Sequence, residues 1–267
     1  MKIFQVDAFT DEPFKGNPAG VCLLETKQTD SWMQNMAMEM NLSETAFLLK
    51  TQTRFDLRWF TPKTEVPLCG HATLASAHIL WEEKILDKEE LAAFNTKSGE
   101  LVCKKADDWI EMLFPLKQVR ATGVSESLLK ALKISKNVAK FNLYDSNGEF
   151  LYLIEVPTDE IVRKLNPDFI KLKEEAKAVI ITAKSSSKEF DFISRFFAPS
   201  LGIDEDPVTG SAHCYLAPYW AEKLNKNELI GYQASKRGGI VKCELRGKKV
   251  IIKGKAVTIF KAELINY

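Results

Sequence analysis

Two stretches of this chain hold the residue types that proton chemistry needs. The first is Val66-Pro-Leu-Cys-Gly-His-Ala-Thr-Leu-Ala-Ser-Ala-His-Ile-Leu-Trp81, where Cys69 and His71 flank Gly70 ahead of an uncharged, alanine-rich run. The second is Asp206-Pro-Val-Thr-Gly-Ser-Ala-His-Cys-Tyr-Leu-Ala-Pro-Tyr-Trp220, with Asp206 placed just before a similar run. A third candidate is Glu44, in Asn41-Leu-Ser-Glu-Thr-Ala-Phe-Leu-Leu49. A carboxylate leading into an apolar strand is costly unless it is paired or used. In a closed pocket its pKa would rise, and it could take and return a proton near neutral pH. Each residue also has a plainer reading: a strand-end carboxylate for Glu44, a hydrogen-bonded helix end for His71, and an N-cap or Asx-Pro turn for Asp206.

The elements that would position these groups follow from the same stretches. From His71 onward there is no charged side chain before Glu82, and small or apolar residues cover nearly the whole circumference, which predicts a helix buried in its own domain. The start of such a helix has backbone N–H groups without internal partners and the positive end of a dipole, which suits an anionic ligand. Gly70, Ala72 and Ala77 match Gly210, Ala212 and Ala217 at one common spacing, which suggests a duplicated domain with half a site in each copy. Pro218 inside the second run predicts a kink. If the two helix starts face each other, an acid, a base and two sets of amides converge, an arrangement suited to proton transfer at a carbon beside a carboxylate.

Along the chain, short strands dominate. Lys2–Ala8 alternates, and Gly16-Asn-Pro-Ala-Gly20 reads as a tight turn into a strand at Val21–Leu24. A helix is expected over Asp30–Met40, and strands follow near Leu42–Leu49, Phe55–Phe60, Leu91–Asn95, Leu101–Lys105 and Trp109–Phe114. Pro115 and the polar stretch after it mark the boundary between domains 1–115 and 116–267. The second half repeats this grammar and ends in four strands near Leu229–Ala234, Ile240–Leu245, Lys248–Ile252 and Ala256–Phe260. Strands and helices do not alternate strictly, which disfavours a doubly wound sheet and points to an α+β fold of two curved sheets, each wrapped around its helix.

Composition narrows the partners. Lys+Arg 37 against Asp+Glu 36 leaves a formal charge of +1, with no basic stripe to attract nucleic acid. No apolar run approaches membrane-spanning length, and the first residues lack a signal peptide's apolar core. Five scattered cysteines without a CxxC pair favour reduced cytoplasmic thiols. The histidines, His71, His78 and His213, show no HExxH-like spacing, so no metal is expected, and no Walker or Rossmann glycine pattern implies a nucleotide cofactor. A thiol at a helix start can have a lowered pKa. A two-thiol racemase would need a second cysteine where the chain has Asp206-Pro207-Val208, so both a reactive thiol and a packed small residue stay open for Cys69.

Gly16-Asn-Pro-Ala-Gly20, Ser43-Glu-Thr-Ala-Phe47, Leu68-Cys-Gly-His-Ala-Thr73 and Glu205-Asp-Pro-Val-Thr-Gly-Ser-Ala212 together resemble, in order, the motifs of the phenazine-biosynthesis PhzF-like family. The resemblance implies a fold like that of diaminopimelate epimerase, with two pseudo-symmetric domains and a site in the cleft between them. It also implies cofactor-independent isomerisation or epimerisation of a small carboxylated substrate, often by a homodimer. The matching residues would be Glu44 as general acid/base, assisted by His71 and Asp206. Gly70, Gly210 and Ser211 would hold substrate polar groups, with Ala72 and Thr209 beside them. A thiol-dependent racemase using Cys69 and a non-catalytic binding protein that kept the cleft are the rival readings.

Overall fold

The computed structural model describes residues 1–146 and 149–265. The chain divides into two compact units, Met1–Leu113 with Ile251–Tyr267, and Phe114–Val250. The first division falls beside the boundary expected at residue 115, but the last residues return to the first unit. The physical reason is strand pairing. The closing strand β18 (Ala256–Glu263) runs antiparallel to β1 (Lys2–Ala8) and satisfies its free edge.

The first unit contains β1, β2 (Asn17–Leu24), α1 (Asp30–Met40), β3 (Glu44–Lys50), β4 (Phe55–Phe60), β5 (Glu65–Val66), α2 (Gly70–Glu82), β6 (Ala92–Thr96), β7 (Gly99–Ala106), most of β8 (Trp109–Pro115) and β18. Pairing is antiparallel for β1/β2, β3/β4, β6/β7 and β7/β8, and parallel for β2/β3 and β4/β6. Helix α2 lies against β1, β2, β3 and β18. Two of its buried polar residues are satisfied within the helix, with Thr73 Oγ1 donating to the Cys69 carbonyl at 2.6 Å and Ser76 Oγ to that of Ala72 at 2.7 Å. Helix α1 covers another part of the sheet, where Met33 and Ala37 pack with Ile3, Cys22, Phe47 and Phe60.

One local expectation is corrected. Asn17–Gly20 is strand rather than turn, because β2 pairs with β1 from Ala8↔Asn17 through Gln5↔Gly20. Pro18 is tolerated at the second position of the strand, where a missing N–H costs little. The reversal lies earlier and closes at Gly16, whose φ of 63° is in the left-handed region and whose added Cβ would sit 2.1 Å from the Ala8 carbonyl oxygen.

The second unit contains β9 (Arg120–Ala121), α3 (Glu126–Leu132), β10 (Lys140–Ser146), β11 (Glu149–Glu155), α4 (Asp159–Lys164), α5 (Phe169–Glu175), β12 (Ala178–Lys184), β13 (Phe192–Ala198), β14 (Ile203–Asp206), α6 (His213–Leu224), β15 (Glu228–Gln233) and β16 (Gly239–Arg246). The chain passes back to the first unit within β17 (Lys249–Gly254). Pairing runs β10/β11 antiparallel, β11/β12 parallel, β12/β13 antiparallel, β13/β15 parallel and β15/β16 antiparallel. That is the alternation of β1/β2, β2/β3, β3/β4, β4/β6 and β6/β7, and each sheet has its long helix between the corresponding strands. The fold is therefore α+β with an internal repeat, one mixed sheet wrapped around one buried helix in each unit.

Helix α6 is held by Trp220, which stacks on Phe192 at 6.0 Å and donates its indole N–H to Thr182 Oγ1 at 3.0 Å. Pro218 cannot donate to the Cys214 carbonyl four residues earlier. The Lys117 N–H does so instead, at 3.0 Å. Among the described residues, no helix is long and apolar enough to cross a membrane.

Candidate active site

The starts of two strands and one helix meet in the first unit. Parallel pairing of β2 with β3 sets Ala19 beside Glu44, and the first residue of β2, Asn17, sends its amide to His71 Nδ1 at 3.3 Å. An Asn17 N–H given to Nδ1 leaves the ring proton on Nε2. That nitrogen lies 3.3 Å from Glu44 Oε2, outside hydrogen-bond geometry. Cys69 Sγ lies 3.5 Å from Nδ1. Burial pushes His71 down to about 3, so the imidazole is neutral at physiological pH.

Gly70, His71 and Ala72 form the first turn of α2, whose N–H groups have no intrahelical partners. The Cys69 side chain makes no capping bond to them. The Ala72 methyl is fully buried, so this residue presents only its backbone. Asp7, buried on β1, accepts the Phe14 N–H at 2.8 Å and so fixes the loop that leads into Asn17. A carboxylate, a thiol, a neutral imidazole and helix-start amides are groups that can hold an anion and move a proton beside it.

The second unit builds a related turn. Asp206 ends β14, and its Oδ2 accepts the Thr209 hydroxyl. Gln233, buried at the end of β15, donates to the Asp206 carbonyl at 2.8 Å and accepts the Thr209 N–H at 2.9 Å. Gly210 and Ala212 are buried and Ser211 is exposed, all three in a short 3-10 turn that runs into α6. His213 Nδ1 donates to the Thr209 carbonyl at 2.9 Å, and burial pushes this histidine down to about 4 against the opposing pull of that carbonyl.

The two turns share devices that the spacing of glycines and alanines did not show. Arg58 grips Glu65 with two bonds, 2.8 and 2.7 Å, tying β5 to β4, while Arg195 grips Glu205 at 2.6 and 2.8 Å, tying β14 to β13. Each guanidinium also lies over an aromatic ring two residues on, Phe60 at 5.1 Å and Phe197 at 4.8 Å. Ser98 donates to the Pro67 carbonyl at 2.7 Å, and Ser235 to that of Pro207 at 2.8 Å. The Thr73 bond to Cys69 and the His213 bond to Thr209 occupy equivalent places, so Thr209 stands where the first turn has Cys69. The missed signal is a repeated Arg-x-Phe-x-Pro followed by Glu-x-Pro-x-x-Gly, present at Arg58–Gly70 and, with a longer insertion, at Arg195–Gly210. The structure thus gathers Glu44, His71, Gly70 and Ala72 in one unit and Asp206, Thr209, Gly210 and Ser211 in the other.

A family model described as phenazine biosynthesis-like protein, PhzC-PhzF, matches residues 6–262. A Halalkalibacterium halodurans protein named as an uncharacterized isomerase is 52% identical over 265 residues, covering 98% of both chains. A crystal structure of a PhzF-family protein from Enterococcus faecalis has a TM-score of 0.91 at 40% identity, covering 98% of this chain and 99% of that one. A probable proline racemase from Agrobacterium radiobacter shares the fold alone, with a TM-score of 0.66 at 12% identity, covering 98% of this chain and 92% of that one. With a family model spanning nearly its whole length and a relative of this closeness, the chain belongs to the PhzC–PhzF phenazine biosynthesis-like family.

Proposed function

We propose that this protein is a cofactor-independent isomerase or epimerase that moves a proton between carbons of a small carboxylated substrate. The observation that carries the reading is the placement of the Glu44 carboxylate beside a buried, neutral His71 at the start of α2. Glu44 removes a proton from the carbon next to the substrate carboxylate, and the C–H electron pair moves onto the carboxylate oxygens as an enolate. The N–H groups of the α2 start and the Nε2–H of His71 stabilise that charge as it develops. Protonated Glu44 then returns the proton to a conjugated carbon, which restores the enzyme; inversion at the same carbon would instead take its proton from a second acid on the opposite face, with both acids re-equilibrating with solvent. Asp206 is the second acid in this reading, and Gly70, Thr209, Gly210 and Ser211 orient the substrate. The relatives named as isomerases support the reaction class, and five free, buried cysteines fit a reducing cytoplasm. The family resemblance adds a homodimer.

A panel of small amino, hydroxy and unsaturated carboxylates incubated with the protein in deuterium oxide tests this directly. The expected result is enzyme-dependent deuterium at the carbon beside the carboxylate of at least one compound, read by NMR. A panel with no incorporation would favour a binding protein. The thiol-dependent racemase reading has a weaker footing, since the place equivalent to Cys69 holds Thr209, which cannot supply a second thiolate. Exchange by Cys69→Ser is expected to stay within about tenfold of the parent. Its loss by three orders of magnitude would put the thiol in the mechanism instead.

A further inference from the structure

Sequence spacing offers no metal motif, yet folding brings three unlike donors together from separate elements. One carboxylate oxygen of Glu44, Cys69 Sγ and one ring nitrogen of His71 all lie within 4.8 Å of one another. We propose that this group is a binding site for a zinc-class divalent cation, which shuts off the proton chemistry proposed above by occupying its base. The inference rests on that reading for its consequence, but not for its geometry.

The distances support a specific coordination. Asn17 donates to His71 Nδ1 at 3.3 Å, so the ring's lone pair is on Nδ1, the nitrogen that Cys69 Sγ approaches at 3.5 Å. With zinc–sulfur near 2.3 Å and zinc–nitrogen near 2.0 Å, a 3.5 Å sulfur–nitrogen separation closes an angle of about 110°, the tetrahedral value. A cation placed there displaces the Asn17 N–H from the Nδ1 lone pair and the proton from the Cys69 thiol, and that proton leaves to solvent. Glu44 is the third ligand: one of its carboxylate oxygens lies within 4.8 Å of Cys69 Sγ and of a ring nitrogen, and because its Oε2 now stands 3.3 Å from Nε2, the side chain must turn toward Nδ1 to complete the set. The fourth position stays open to water. Mixed thiolate, imidazole and carboxylate donors with one open position select zinc and cobalt over calcium or magnesium, which prefer all-oxygen shells. Glu44 bound to a cation cannot accept a proton from carbon.

Cobalt(II) is the probe, added to the intact protein under anaerobic conditions. The expected result is a thiolate-to-cobalt charge-transfer band with visible tetrahedral ligand-field bands, saturating at one ion per chain and bleached by added zinc. Cys69→Ser should abolish the charge-transfer band although the other four cysteines remain, and Glu44→Gln should weaken binding about tenfold or more. His78→Ala, on the far part of α2, should leave the titration unchanged. No saturable band, or a band undiminished in Cys69→Ser, would overturn the proposal. The optical signal needs no turnover, so a bound ion without carbon–deuterium exchange would leave the metal site standing and remove the isomerase reading.

Discussion

Glu44→Gln is expected to abolish solvent-deuterium incorporation into any compound that the parent protein exchanges, lowering the rate by about a thousandfold or more. The substitution keeps the shape of the side chain, exchanges one accepting oxygen for a donating NH2, and removes its basicity. Glu44 is the first residue of β3, paired from Ala19 onward, so the backbone that holds it does not depend on its charge. The loss should therefore appear in kcat, with little change in KM or in the urea midpoint. Asp206→Asn makes a useful companion, because its Oδ2 accepts from Thr209 and the amide can preserve that contact in one of its two orientations. Exchange at the parent rate in Glu44→Gln would remove the glutamate from the chemistry.

Acid should destabilise this protein more than its near-zero net charge suggests. His71 and His213 are buried and held at about 3 and about 4, well below the ordinary histidine value of 6.5. In the unfolded chain both take up protons as pH falls through that ordinary value, while in the folded chain they stay neutral. Stability is therefore full above about pH 6.5 and lost progressively below it, at up to about 1.4 kcal/mol per pH unit for each residue. Between pH 6.5 and 5 the two together remove about 3 kcal/mol, a large share of a typical domain's total. Urea midpoints across this range measure the drop, and His213→Asn, which keeps a donor for the Thr209 carbonyl, should lessen it. Proton NMR gives an independent check, because the chain has only three histidines. The ring signals of His71 and His213 should not titrate between pH 8 and 5. Titration of either near 6.5 would show that its burial carries no such cost.

The parts of this architecture written in local pattern were legible in the sequence. The uncharged run after Gly70 is helix α2, and the shared glycines and alanines do mark an internal repeat. What stayed hidden depends on register and on distant pairing. Asn17 looked like a turn residue because its proline and glycine neighbours are turn formers, and only pairing with Ala8 makes it the strand residue that reaches His71. Gln233 braces a turn 24 residues earlier through its own side chain, with no periodicity to betray it. The two arginine clamps are repeated motifs, but their partners are seven and ten residues away and lie on different strands. The donor cluster at Cys69 was invisible to spacing rules because its third member, Glu44, arrives from another strand.

The return of Ile251–Tyr267 to the first unit has a consequence for synthesis. A ribosome delivers every residue of Phe114–Val250 before it delivers the strand that borders β1. The unit begun first must therefore wait, with Ile3, Phe4 and Val6 lacking one flank, while the unit begun second can reach its native pairing on the emerging chain. A nascent molecule of this kind finishes its middle before its beginning, and its amino-terminal half is the part that trigger-type chaperones would have to shield.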